Sequence, residues 1–292
     1  MPSTRDIRRR IKSIKNTAQI TKAMQMVAAS KMRKAQQAAL SGRPYAQLMN
    51  SVLGEVTHRT TDFSNPLMEK REGGKRAVIL VSSDKGLCGA LNSNLLREAA
   101  KLDKQNTVFI TAGRKAAQFV ARTRRNLAAE FTYHDAPKFS EARAIASFAR
   151  DLFLKGEVDR VDILFTNFVS TLTQKPLLLP FLPIEEIVGI NPHVAGEETN
   201  VQLMKGATEF LFEPGAEDVL GALLPHYLNF RVYQVLLEAK ASEHSARMVA
   251  MKSATDNAKQ IIKDLTLEYN KIRQASITKE LLEITSAAMS LG

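Results

Sequence analysis

The residues with most potential for chemistry lie in SSDKGLCGALN, Ser82 to Asn92, between a strand-like run (AVILV, Ala77–Val81) and a helical stretch from Asn94. A turn at that place, at the end of a parallel strand, is where doubly wound domains bind ligands. Its glycines are Gly86 and Gly89, which form neither G-x-G-x-x-G nor a G-K-[ST] ending able to cradle phosphate. A tight structural turn, with or without a contact surface, fits better than a nucleotide site. His58, His134, His193, His226 and His244 lack metal-ligand spacing. The acidic doublets Glu185-Glu186, Glu197-Glu198 and Glu217-Asp218 read as solvated loops or helix starts. Cys88 is the one cysteine and has no nucleophile motif around it, so it cannot form an intramolecular disulfide. No catalytic group, cofactor or metal is expected.

The elements that would hold these residues fall into three parts. From Thr4 to Ser41 there is neither Gly nor Pro. Steps of four and three from Ile7 pass Ile11, Ile14, Ala18, Thr21, Gln25, Ala28, Met32, Ala35 and Ala39. A repeat of about 3.5 residues predicts a left-handed coiled coil. Gly42-Arg43-Pro44 predicts a bend, after which the pattern resumes through Leu48, Val52 and Val56. At the other end no Gly or Pro follows Pro225 until Gly292, so a second long helix is expected there. Its seam reads Val232, Val235, Ala239, Ser242, Ala246, Ala250, Ala254, Ala258, Ile261 and Leu265, with four-residue stutters between Ser242 and Ala258. The middle alternates strands (Ala77–Val81, Val108–Thr111, Leu127–Tyr133, Val161–Phe165) with helices (Asn94–Leu102, Arg114–Arg122, Glu141–Leu154). That order predicts a mostly parallel sheet. Thr173–Ile184, with Pro176, Pro180 and Pro183, should be an edge strand, and a mobile loop is expected near 185–208.

The predicted fold is therefore α/β plus a long antiparallel coiled coil. The N- and C-terminal helices pair, and a Rossmann-like α/β domain is inserted between them. The expected boundaries are 1–60, 61–225 and 226–292. The second helix is longer, so its C-terminal end should project beyond the pair, carrying Ile277, Leu281, Ile284, Ala288 and Leu291 at helical spacing. Such an apolar end calls for an enclosing partner.

Charge is concentrated at the N-terminus. Residues 1–50 hold eleven Lys or Arg against the single acid Asp6, which accounts for nearly all of the net charge of +11. A basic helix of this kind suits an acidic partner. An Arg-rich start also resembles a transit peptide, but a removable peptide would not need the sustained heptad pattern. A nucleic-acid binder would share the basic helix and a pI near 9.7, yet leaves the apolar tail unexplained. No run is long enough to cross a bilayer.

Five segments carry a specific resemblance: ITKAMQMVAASKMRKA (Ile20–Ala35), SSDKGLCGALN (Ser82–Asn92), FLFEPGAEDVLGALLPHYL (Phe210–Leu228), SEHSARMVAMKSATDNA (Ser242–Ala258) and YNKIRQASITKELLEI (Tyr269–Ile284). With them the chain resembles the γ subunit of F-type ATP synthases nearly end to end. The resemblance implies a rotor shaft without a catalytic site, coupling proton-driven rotation of a membrane c-ring to conformational change in catalytic β subunits. Partners implied are three α and three β subunits around the shaft, the ε subunit and the c-ring. No nucleic acid is implied, and membrane contact is only indirect, through the ring. Met24, Arg247, Gln274, Thr278, Glu280, Leu281 and Ile284 match positions that contact the α/β head. Arg8, Arg9, Lys12, Lys22, Lys31 and Arg33 would face acidic levers of β. Chloroplast γ subunits carry a regulatory cysteine pair that is absent here, so thiol switching of that kind is not expected. The start of the chain favours a bacterial protein, peripheral on the cytoplasmic face of the cell membrane.

Overall fold

The computed structural model describes residues 3–59, 65–71, 73–184, 213 and 215–291. The loop expected near 185–208, with both of its acidic doublets and His193, lies outside the described residues. The elements are α1 (Thr4–Ser41), α2 (Arg43–Arg59), β1 (Arg76–Val81), α3 (Leu91–Lys101), β2 (Thr107–Ala112), α4 (Arg114–Arg122), β3 (Asn126–Phe131), α5 (Phe139–Leu154), β4 (Arg160–Phe168), β5 (Gln174–Leu182) and α6 (Ala216–Leu291). The chain forms two compact units. One holds Met1–Val27 with Met248–Gly292, the other Ala28–Arg247.

In the larger unit the sheet order is β3-β2-β1-β4-β5. β1 to β4 are parallel, and β5 closes one edge antiparallel to β4. Two of the three prolines fit that edge position, Pro176 pairing Thr166 and Pro180 pairing Asp162, where a missing N–H costs the sheet no inner ladder bond, and Pro183 lies just past the strand's end. One face packs Val78, Leu80 and Phe109 against α3 and α4. The other buries Ile79, Ile110 and Ile163 among α5, α2 and the first part of α6.

The second terminal helix starts earlier than the sequence pattern predicts. α6 begins at Ala216 and runs through Pro225. A proline inside a helix costs about 3 kcal/mol, partly through a clash with the residue four before it. Leu220, Leu224, Tyr227 and Leu228 all enter the core, and at about 1.5–3 kcal/mol each their burial outweighs the cost.

In the smaller unit α1 and α6 run antiparallel: Thr21 meets Thr255, and Arg8 meets Tyr269. Every α1 seam position from Ile7 to Ala39 is buried or half-buried, as the heptad predicts. On α6 the predicted seam needs correction. Ile261 is 47% exposed, whereas Met251, Thr255, Ala258, Ile262, Leu265, Tyr269 and Ile272 are covered. From Met251 on those residues step by four and three, while Ala250 and Ala254 are half-buried beside them, so of the predicted seam only Ile261 is displaced. The alanines at 250, 254 and 258 suggested a seam because small residues suit close helix packing. Ala258 is buried in it as expected, and the larger Met251, Ile262 and Tyr269 complete it.

Candidate functional site

The carboxyl ends of β1, β2, β3 and β4 define the place where a doubly wound domain opens a crevice, at the switch between β1 and β4. In this chain its own helix fills that place. Ser242 donates to the Thr166 carbonyl at the end of β4 (3.0 Å), and Ser245 to the Thr171 carbonyl just beyond it (2.8 Å). Arg247 reaches the Gly86 carbonyl at 3.2 Å in the turn after β1. Ala246 packs on Cys88 and Leu91 of the same turn. The turn after β1 is thus a docking surface for α6, the structural alternative among the readings of Ser82–Asn92.

The turn is braced from within. Ser83 bonds Asn92, and Asn92 also donates to the Cys88 sulfur. Ser82 Oγ and Asp84 Oδ1 accept from the Ala116 and Arg114 amides, so they cap the N-terminus of α4. Gly113 sits at φ +103°, and a Cβ there would lie 2.2 Å from the Ser82 carbonyl oxygen. Only glycine allows β1 and β2 to end this close together. Burial pushes the Cys88 thiol up from its ordinary range, as for an inert structural cysteine.

From Gln234 to Ala246 every residue of α6 is buried, including Glu238, Lys240, Glu243 and His244. Lys240 Nζ bonds Glu243 at 3.0 Å and lies 4.5 Å from the centre of the Tyr133 ring. The other Glu243 oxygen accepts from Arg247 at 2.8 Å. Asp135, in the loop after β3, pairs with Lys31 of α1 and faces Lys240 at 3.6 Å and His244 Nε2 at 3.9 Å. The Lys31 bond, with help from Lys240, holds the Asp135 carboxyl down at about 2. Burial depresses His244 to about 4, against the pull of Glu243 and Asp135. Its Nδ1 faces Arg247 at 3.4 Å, and its buried Nε2 lies beyond hydrogen-bond reach of Asp135. The ring is therefore neutral, with Nδ1 as the acceptor. Burial and the neighbouring carboxylates raise the Tyr133 hydroxyl well above its usual range; it donates to the Ser82 carbonyl at 3.0 Å.

The site residues expected from the sequence separate into three groups. Arg247 is only 12% exposed, so its guanidinium is already engaged within the chain, whereas Lys31 pairs with Asp135 at the surface, their side chains 43% and 50% exposed. Arg8 stacks over Tyr269, 5.4 Å from the ring centre, while Arg9, Lys12 and Lys22 are exposed on the same unit. Arg33 is exposed on α1 of the larger unit. Met24 is half-buried beside the exposed Ile20, Met26 and Val27. Gln274, Thr278, Glu280, Leu281 and Ile284 all lie on the last part of α6, where every described side chain from Arg273 to Ala287 is exposed. The Thr278 hydroxyl turns back to the Gln274 carbonyl. Asp135, Lys240, Glu243, His244 and Thr255 were not singled out by sequence. The available signal was seven polar residues among the thirteen from Gln234 to Ala246, which leave that helix without an apolar stripe.

One unit is a long antiparallel helix pair and the other an α/β body whose usual ligand crevice is filled by its own helix, an architecture that suits a mechanical class of protein. The comparisons give the family. A family model described as ATP synthase matches residues 3–291. The chain is 49% identical to the ATP synthase gamma chain of Opitutus terrae over 98% of both chains. It is 46% identical to that of Methylacidiphilum infernorum over 100% of both. Among solved structures it is similar to a chain of the central stalk/c-ring of Tetrahymena thermophila mitochondrial ATP synthase. The TM-score is 0.59 at 26% identity, over 80% of this chain and 99% of that one. A chain of the Euglena gracilis mitochondrial ATP synthase rotor shares the fold, with TM-score 0.62 at 19% identity, over 94% of this chain and 98% of that one. The chain belongs to the ATP synthase gamma-chain family, and so is a non-catalytic subunit of that complex.

Proposed function

We propose that the chain is the central rotor shaft of an F-type ATP synthase, joined at its α/β body to an ε subunit and a c-ring and ringed by three α and three β subunits. Ion flow turns the ring and shaft, which drives ATP synthesis in β; hydrolysis drives the reverse. On this reading residues 1–60 and 226–292 form the shaft and 61–225 the foot. The complex sits on the cytoplasmic face of a bacterial cell membrane. This chain touches the membrane only through the ring, and no helix among the described residues is long and apolar enough to cross it.

The observation that carries the reading is the end of α6. Ile277, Leu281 and Ile284 are 49%, 58% and 65% exposed, on a helix with no described partner at that level. Three large aliphatic side chains in water on one helix favour enclosure by a partner. An apolar contact is non-directional, so a sleeve around it permits turning. Gln274, Thr278 and Glu280 stand among these residues as polar contacts to the head. Exposed polar and charge pairs contribute under about 1 kcal/mol each, enough to hold and yet release. Met24 with Ile20 and Val27 forms a second apolar contact to the head. Arg8, Arg9, Lys12, Lys22 and Arg33 face acidic segments of β.

The test is purification of the intact complex through a tag on this chain, followed by native mass spectrometry. One copy with three α and three β chains, hydrolysing ATP, is the expected result. A chain that leaves the cell alone, or with nucleic acid, under conditions that keep large assemblies whole would refute it.

A further inference from the structure

We propose that Asp135 is the residue through which the α/β body grips both terminal helices at once, so that α1 and α6 turn as one piece with it. The proposal rests on the rotor reading above and adds the place where torque passes from body to shaft. Asp135 stands in the loop after β3. One carboxylate oxygen pairs with Lys31 of α1, and the other faces Lys240 of α6 at 3.6 Å. Lys240 is held in place by Glu243, and Glu243 by Arg247, which ends on the carbonyls of Lys85 and Gly86. The chain of contacts therefore starts at the end of β3 and closes at the end of β1. Ser242 and Ser245 tie the same helical turns to the end of β4.

The physical need for such a grip follows from the load. Apolar packing resists pulling two helices apart, but it is non-directional and resists twisting about the helix axis only weakly. The charge-assisted hydrogen bonds Lys31–Asp135 and Lys240–Glu243 are directional and oppose that motion, and the Asp135–Lys240 ion pair at 3.6 Å joins them. The seam of α1 in this unit is mostly alanine, with Ala28, Ala35 and Ala39 buried and Met32 half-buried among them, so few side chains there are large enough to interlock. Seven polar residues buried on thirteen positions of α6 make a costly way to build a core, and gripping accounts for that cost. Asp135 is the member of the cluster that meets both helices.

The experiment uses the assembled synthase with its head fixed and a bead on the α/β body. Angular fluctuations of the bead, with nucleotide locking the head, read torsional stiffness. Asp135→Asn keeps the shape and removes the charge. Stiffness should fall measurably but by less than several-fold, because the Asp135 and Lys31 side chains are 50% and 43% exposed, and ion pumping per ATP hydrolysed should drop, while unloaded ATP hydrolysis stays near wild type. Asp135→Glu should restore most of the stiffness. Lys31→Gln removes only the α1 arm, leaves Lys240 and Glu243 paired, and should soften the shaft by a smaller factor. It decides the matter if Asp135→Asn fails to assemble. Wild-type stiffness in the charge-removing variants that assemble would overturn the proposal. A wild-type shaft that does not turn would instead strike the rotor reading itself.

Discussion

The two ends of α6 solve opposite problems with one continuous helix. From Gln234 to Arg247 its side chains are covered, rich in charge and held by directional bonds to the ends of β1, β3 and β4. From Arg273 to Ala287 they are exposed, and the large ones are Ile277, Leu281, Leu282 and Ile284. Directional polar contacts fix an angle, whereas apolar contacts tolerate turning. The difference separates a stretch held by the chain's own contacts from one left open to a partner, which on the proposed function are the clamped and the slipping parts.

The clamp is where a single change should cost most. Glu243→Gln leaves Lys240 and Arg247 buried without their shared counter-ion, and breaking a buried pair in this way costs about 3–5 kcal/mol. Urea denaturation of the full chain should show a large drop in the midpoint. A shift within experimental error would mean that the cluster is not load-carrying.

His244 sharpens the same contrast through pH. Its folded-state value of about 4 lies below the ordinary 6.5. Between those values the unfolded chain takes up a proton that the folded chain refuses. Stability should therefore fall as pH is lowered through this window, by up to about 3 kcal/mol, and level off below it. Thermal melts from pH 7 to 4 should show the slope, and His244→Gln should flatten it. Asp135 acts in a lower window, since stability from its depressed carboxyl is present above 3.8 and lost as pH falls towards 2.

In the smaller unit the helix pair offers an intermediate case. Thr21 and Thr255 join their hydroxyls at 2.7 Å in a buried contact. Each hydroxyl also reaches a carbonyl of its own helix, Thr21 to Ala18 and Thr255 to Met251, so either threonine changed to Val alone leaves its partner one bond and should cost about 0.5–1.5 kcal/mol, with the double change costing less than the sum of the two. A double-mutant cycle by denaturation checks this, and additive losses would contradict it. At the free end, Ile277→Ala with Leu281→Ala should leave the chain's own stability within about 0.5 kcal/mol. The same pair should reduce assembly with the head, read by native mass spectrometry. Full assembly would break the contrast between clamp and slip.

Much of this arrangement is legible in the sequence, for reasons that differ along the chain. The α1 seam is readable because Ile7, Ile11, Ile14 and Ala18 alternate cleanly with charge, so one helix face must be buried. The strands are readable because parallel sheets covered on both faces need apolar runs such as AVILV. The start of α6 was hidden because Pro225 normally stops a helix and only tertiary burial overrides it. Its distal seam was misplaced because Ile261 and Ile262 are adjacent, and local pattern does not choose between them. The buried cluster was hidden for a deeper reason. Lys240 and Glu243 look like solvent residues until the fold buries them beside a loop whose Asp135 stays half exposed. The exposed end, by contrast, was readable from Ile277, Leu281 and Ile284 alone.

The central claim is that this chain turns as one piece inside a fixed head. The direct measurement anchors the intact complex by its head, labels the body at an exposed residue and supplies ATP. Lys104→Cys offers such a residue, because the natural thiol of Cys88 is buried and stays unlabelled. The account predicts continuous one-way rotation of the label, with the ATPase rate rising and falling with it. Steady ATP hydrolysis beneath a motionless label would contradict it.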